Sequence, residues 1–240
     1  MSTQIQGLGI VLYDEKSKGI TFEEYREQSL NFFTNYYGSN EVINELGNIQ
    51  PFWLSLLELI KMYHIENDDI LNMDLTGMIE FNKALSRNIN LIPEAEGVYA
   101  GTIYGPKTDI LVKDMMVARG VLTNFRADAY IKATGTVIEQ KRNRLKLSEE
   151  LPADADKHRC HFKNAYKQAL TYCCYFKKDE TPKRIVTSNF REIWVYEGRK
   201  EDSVIKVPVI DIKNYWNILL PILYDRGGSG NAKELKHGDT

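Results

Sequence analysis

The spacing of apolar and polar positions divides the chain into helical and extended stretches. Residues 21 to 37, "TFEEYREQSLNFFTNYY", open with Thr21 and Glu24 in capping-box spacing and predict a helix. "QPFWLSLLELIKMYHI" is apolar almost all round, which predicts a buried helix with Pro51 in its first turn. "TGMIEFNKALSRNI" reads as helical, while "GVYAGTIYG" and "TDILVKDMMVARGVL" fit strand or helix. Residues 126 to 142, "RADAYIKATGTVIEQKR", carry Tyr130 and Ile131 before Gly135 and Val137 and Ile138 after it. With Ala-Thr-Gly-Thr as the turn, this predicts a β-hairpin.

Further on, "NRLKLSEELPADADKHR" is charged and without period, the composition of a mobile connector. "CHFKNAYKQALTYCCYFKK" places Phe162, Ala165, Ala169, Cys173 and Phe176 on one helical stripe. "DETPK" breaks the pattern; "RIVTSN" and "REIWVYE" are β-rich, and "SVIKVPVID" reads as a third such segment. "IKNYWNILLPILYD" predicts a docking helix interrupted by Pro221, and "RGGSGNAKELKHGDT" has linker composition.

Composition narrows the class. With 240 residues, 43% hydrophobic and 27% charged, the chain can bury a sizeable core in one or two domains. No apolar run reaches the length of a membrane span, and "MSTQIQGLGI" lacks a signal-peptide pattern. Three cysteines without framework spacing predict a reducing, cytoplasmic setting. A formal net charge of −2 means that a surface for nucleic acid would have to be a local patch.

The hairpin carries the chemistry. Glu139 and Lys141, two apart on a strand, point to the same face, and Asp128 on the partner strand can be brought beside Glu139. Two carboxylates and an ammonium on one sheet face are costly unless used. Asp128, ten intervening residues, then Glu139-Gln140-Lys141 matches the D-x(n)-(D/E)-x-K signature of PD-(D/E)XK nucleases. Two carboxylates can hold one or two Mg²⁺ against a scissile phosphate, and the lysine can orient water or offset negative charge. Gln140 points to the other face, though its carbonyl could still reach a metal. Gln168 and Tyr172, one turn apart, share a helical face in a Q-x-x-x-Y pattern.

"VIEQK", then "YKQALTYCCYF", then "KRIVTSNFREIWVYE" closely resemble, in the same order, the N-terminal endonuclease module of MmeI-like type IIG/IIL restriction-modification proteins. That module has an "LIEQK"-like strand, a "YEQAxxY"-like helix and an "IVTSNFxxIxIY"-like hairpin. "LNFFTNYYGSN" followed by "QPFWLSLLELI" resembles its helical opening, so the likeness covers roughly residues 25 to 63 and 126 to 225. It implies a restriction-endonuclease-like α/β fold, a mixed sheet flanked by helices. On this reading residues 1–120 are a helical N-terminal segment with an insertion packed on the core. Residues 121–225 are the nuclease core, and 226–240 a linker towards a C-terminal region.

The resemblance further implies that Asp128 and Glu139 are metal ligands, Lys141 the catalytic lysine and Gln168 an accessory active-site residue. Arg142, Arg144, Tyr172 and Lys183 are the candidates for DNA contact. The cofactor would be Mg²⁺, with Mn²⁺ as a substitute. The implied function is double-strand DNA cleavage, with a fused or associated methyltransferase and target-recognition region and a transient dimer as partners. The chain departs from the family in two ways. Residues 64 to 120 exceed the usual link between helices and hairpin. No N-P-P-Y or D-P-P-Y sequence and no glycine-rich S-adenosylmethionine loop occurs, so that cofactor would belong to a region not in this sequence. The chain therefore reads as the nuclease fragment of a larger enzyme or a stand-alone relative. The alternative is a catalytically inactive DNA-binding or scaffolding module of a DNA methyltransferase.

Other features have plainer readings. His158, Cys160 and His161 are too crowded for zinc, with Cys173 and Cys174 read as buried thiols rather than ligands. Phe32, Phe33, Tyr36 and Tyr37 could stack bases, but they fit the core of an amphipathic helix better. Lys177, Lys178, Lys183 and Arg184, with Arg142, Arg144 and Lys146, could form a basic rim or simply a solvated surface. Asn189 and Phe190 read as turn residues. Lys141→Ala is expected to leave the fold nearly intact.

Overall fold

The computed structural model describes residues 19–38, 43, 45–71, 73–85, 126–148 and 164–225. Helix α1 (Phe22–Gly38) starts at the capping box its sequence announces. The Thr21 N–H donates to Glu24 Oε2 at 2.8 Å, and the Glu24 N–H donates to Thr21 Oγ1 at 3.2 Å. The Thr21 N–H, together with the Thr21 hydroxyl donating to the same Oε2 at 2.9 Å, holds the Glu24 carboxyl below its usual value. Its buried side carries Tyr25, Ser29, Leu30, Phe33 and Tyr37, whereas Phe32 and Tyr36 face outward and stack on each other. The aromatic run is therefore half core and half surface.

Helix α2 (Glu45–Tyr63) begins earlier than its sequence suggests, leaving Pro51 inside it rather than in its first turn. Residues 47–50 before Pro51 are at least partly solvated, so water can replace the hydrogen bond that proline cannot donate. Beyond Pro51 the helix buries Phe52, Trp53, Leu56, Leu57, Leu59 and Ile60 completely. Two short helical turns follow, α3 (Asp68–Leu71) and α4 (Leu75–Met78).

The expected helix over "TGMIEFNKALSRNI" is instead α4 running into strand β1 (Ile79–Ala84). Its backbone pairs antiparallel with β2 (Arg126–Ile131), Ile79 opposite Ile131 and Phe81 opposite Ala129. Tertiary pairing has overridden local propensity here. The predicted hairpin is present: β2, a turn, then β3 (Thr136–Gln140), with Ala129 opposite Ile138. Gly135 has φ +64°, and a Cβ there would lie 3.2 Å from Lys183 Cγ and 3.3 Å from Lys183 N. Glycine meets both demands.

Helix α5 (Ala165–Cys173) is shorter than its stripe and capped by Asn164, whose side chain accepts the Lys167 N–H at 2.9 Å. Strands β4 (Arg184–Ser188) and β5 (Glu192–Tyr196) form as predicted, and β6 (Val204–Pro208) is the third segment. A 3₁₀ stretch (Val209–Asn214) leads into α6 (Trp216–Leu223), which contains Pro221. The Thr134 hydroxyl donates to the Ile222 carbonyl at 2.8 Å, tying the hairpin turn to α6.

The result is mixed α/β, a six-stranded sheet in the order β1-β2-β3-β4-β5-β6 flanked by helices. Among the described residues only β3 and β4 are parallel neighbours, and the connection between them carries α5, as parallel pairing requires. One face packs Ala129, Ile131, Ile138, Val186, Ile193 and Val207 against α1, α2 and α6. The other packs Tyr130, Val137, Ile185, Trp194 and Tyr196 against α5. β1, from the part of the chain assigned to the N-terminal segment, is a strand of this same sheet.

Residues 143–148 are not a loose connector. Asn143 and Leu147 are buried, and the Leu145 carbonyl accepts the Asn189 side-chain N–H at 2.8 Å. The expectations for 86–125, 149–163 and 226–240 lie outside the described residues. None of the described helices is long and apolar enough to cross a membrane.

Candidate functional site

The site lies where β3 ends, next to its parallel neighbour β4. In open α/β sheets the carboxyl ends of parallel strands are where ligands gather. The β2–β3 register runs to Ala129 and Ile138, and one further step of it would set Asp128 opposite Glu139. Directly opposed residues of an antiparallel pair share a face. The backbone ladder stops at Ala129 and Ile138, and Asp128 Oδ2 accepts the Gln140 main-chain N–H at 2.7 Å.

Glu139 is buried, 1% exposed. Its Oε1 accepts from Lys141 Nζ at 2.5 Å, an ion pair almost removed from water. The same ammonium donates to Gln168 Oε1 at 2.7 Å, and Gln168 Nε2 donates to the Tyr172 hydroxyl at 2.6 Å. The structure thus joins Glu139, Lys141, Gln168 and Tyr172 in one chain of contacts between β3 and α5, with Asp128 across the hairpin. Lys141 lies one residue past β3, fixed by its main-chain N–H donating to the Ser188 carbonyl at 2.7 Å.

Arg142 and Arg144 are exposed just beyond Lys141. Lys183 is exposed but sits at the other end of the strands, its N–H donating to the Gly135 carbonyl at 2.7 Å. In register Thr136 faces Arg184 and Glu139 faces Thr187. Lys183, level with Gly135, is therefore six residues from Lys141, roughly 20 Å along the strand at about 3.3 Å per residue. Arg184 turns inward to the Pro221 carbonyl, and burial lowers its pKa. Neither extends a rim from Arg142 and Arg144.

Among the described residues, no group of three or more His, Cys, Asp or Glu could hold a metal ion. Cys173 and Cys174 are buried thiols outside any disulfide; His158, Cys160 and His161 lie outside the described residues. What the hairpin offers is two carboxylates, Asp128 on β2 and Glu139 on β3, hard oxygen donors of the kind magnesium takes one or two of, completing its shell with water and phosphate oxygens.

Two supporting residues escaped the sequence reading. Gln140 is fully buried on the opposite face and bonded to Trp53 of α2. Its signal was present: a polar residue at a strand position that alternation aims into an apolar core. Asn189 is more than a turn former, since its Oδ1 accepts the Arg191 and Glu192 N–H groups at 3.1 and 2.9 Å while its amide holds Leu145. Phe190 adopts φ +69° beside it and is fully buried, stacked on Tyr37. No family model, curated protein or solved structure matches the chain.

Proposed function

We propose that the chain is a metal-dependent double-strand DNA endonuclease module of the PD-(D/E)XK type, with a restriction-endonuclease-like fold. The observation that carries this reading is the buried Glu139/Lys141 pair completed by Gln168, with Asp128 Oδ2 bound to the Gln140 main-chain N–H across the hairpin. An ordinary surface hairpin has no use for an ion pair this dry, because burying charges costs several kcal/mol each before pairing returns any of it.

In the reaction, water adds to phosphorus and one bridging P–O bond breaks, leaving a phosphomonoester and a hydroxyl. Asp128 and Glu139 would hold the cation, Mg²⁺ or Mn²⁺, which when bound offsets phosphate charge and lowers the pKa of the attacking water. Lys141, held between Glu139 and Gln168, would orient that water or balance the charge building on the phosphate. Arg142 and Arg144 would contact the DNA backbone beside the scissile bond. The setting is that of a type IIG restriction-modification enzyme, in which a methyltransferase and a target-recognition region, fused or associated, select the site. S-adenosylmethionine would bind there and not here.

The test is plasmid and linear duplex cleavage in Mg²⁺ and Mn²⁺ by the wild type and by Glu139→Ala, Asp128→Asn and Lys141→Met. Each substitution is expected to reduce cleavage by about 100-fold or more, the scale on which single transition-state contacts act. Wild-type cleavage by Glu139→Ala overturns the reading.

A further inference from the structure

Gln140 and Trp53 make a buried polar contact that core packing does not need. Both are fully buried, and the Trp53 indole N–H donates to Gln140 Oε1 at 3.0 Å. The Gln140 amide in turn donates to the Lys141 carbonyl at 3.1 Å, and its main-chain N–H donates to Asp128 Oδ2 at 2.7 Å. One residue is thereby bonded to two members of the candidate site, although its own side chain lies on the opposite face of the sheet. Around it that face is built from Ile138, Val186 and Ile193, where an apolar residue would fill the space at no desolvation cost. The β2–β3 ladder has ended by this point, so on the β2 side the Asp128 and Gln140 side chains bond the backbone where Lys141 leaves the strand, while on the β4 side its main-chain N–H still donates to the Ser188 carbonyl.

We propose that Gln140 is a positioning residue for Lys141 and that Trp53 orients Gln140. Helix α2 on one face of the sheet then fixes the aim of the ammonium on the other. The path is short: indole N–H to amide oxygen, amide N–H to the Lys141 carbonyl, and from that backbone to Nζ between Glu139 and Gln168. Planarity of the amide links its two ends, so a shift of α2 at Trp53 is transmitted to the Lys141 peptide. The inference rests on the nuclease reading for what Lys141 does, but not for how it is held.

The experiment compares Gln140→Met, Trp53→Phe and the double variant in the whole chain. Three quantities are measured: the melting temperature, the ¹H–¹⁵N signal of the Lys141 ammonium, and kcat and KM for duplex cleavage. Gln140→Met orphans the indole N–H and is expected to melt lower; the double variant removes that donor and recovers most of the loss. Positioning predicts that the Lys141 signal stays displaced in the double variant. It also predicts kcat down by about 10- to 100-fold with KM near wild type, since small misplacements of a reacting group act on this scale. A double variant with a wild-type Lys141 signal overturns the proposal and leaves Gln140 a packing residue. Should Gln140→Met fail to fold, Trp53→Phe carries the same readout, and an unmoved signal there overturns the role of Trp53. If the wild type does not cut DNA even when joined to a methyltransferase and a target-recognition region, the nuclease reading falls while the Lys141 signal still decides the positioning.

Discussion

Burial changes what the charged residues of this chain are worth. From sequence, Lys141 reads as dispensable to the fold; in the structure its side chain is 11% exposed and that of Glu139 2%, with 2.5 Å between them. Removing one partner of such a pair leaves the other charge buried without its counter-charge, a loss of about 3 to 5 kcal/mol, whereas neutralising both is close to neutral. Lys141→Met is therefore expected to lower unfolding free energy by about 3 kcal/mol, and Glu139→Gln/Lys141→Met to recover most of it. Denaturant titration of the two single variants and the double variant decides this, and simple additivity would show that the side chains do not depend on each other. Glu58 on α2 shows the opposite imbalance. Burial raises its carboxyl above the ordinary 4.5 and Lys61 only partly opposes this. Because the folded value exceeds the unfolded one, the protonated form favours folding. Stability is full below 4.5 and declines as pH rises through the folded value. Glu58→Gln should consequently melt higher than wild type at pH 7, with the gain vanishing near pH 4. A lower melting temperature at pH 7 would mean that the ionised carboxylate has a stabilising role.

Elements whose signal is local were legible in the sequence; those decided by distant partners were not. The hairpin of β2 and β3 could be read because Gly135 and the flanking apolar pairs are near neighbours in sequence. Strand β1 could not, because Ile79 and Phe81 become strand residues only by pairing with Ile131 and Ala129, far along the chain. The Q-x-x-x-Y spacing placed Gln168 and Tyr172 on one face of α5, but nothing local says that Gln168 reaches Lys141. Basic residues misled for the same reason: Lys183 and Arg184 are near Lys177 in sequence yet belong to the far end of β4. Two element-scale outcomes follow. Leu57, fully buried on α2, should cost about 2 to 5 kcal/mol when cut to alanine, as cavities in cores do. Gly135→Ala should cost about 1 to 2 kcal/mol for the left-handed backbone alone, with the close approach of Lys183 adding to it. An alanine variant as stable as wild type would show that the turn can change its backbone conformation.

For the whole molecule, charge limits what the chain can do with DNA on its own. Net charge is −2, so attraction for a polyanion must come from placed cations. Arg142 and Arg144 are exposed beside Lys141. Arg184 is committed to the Pro221 carbonyl, while Lys83, Lys132 and Lys167 are each ion-paired with carboxylates. A surface of this kind would neutralise about two to four phosphates, so log K should fall with log salt at a slope of roughly −2 to −4. On the proposed nuclease reading the chain alone is expected to bind duplex weakly and to cut it poorly, because the cations beside Lys141 among the described residues are few. Joined to a methyltransferase and a target-recognition region, it should cleave at a defined position in Mg²⁺. There Glu139→Ala should abolish cleavage and spare methylation, since the two chemistries would occupy separate sites. Following both activities in one preparation separates the outcomes. Loss of methylation together with cleavage would mean that Glu139 supports the assembly, and a salt slope near −10 for the chain alone would mean a DNA surface far wider than the rim beside Lys141.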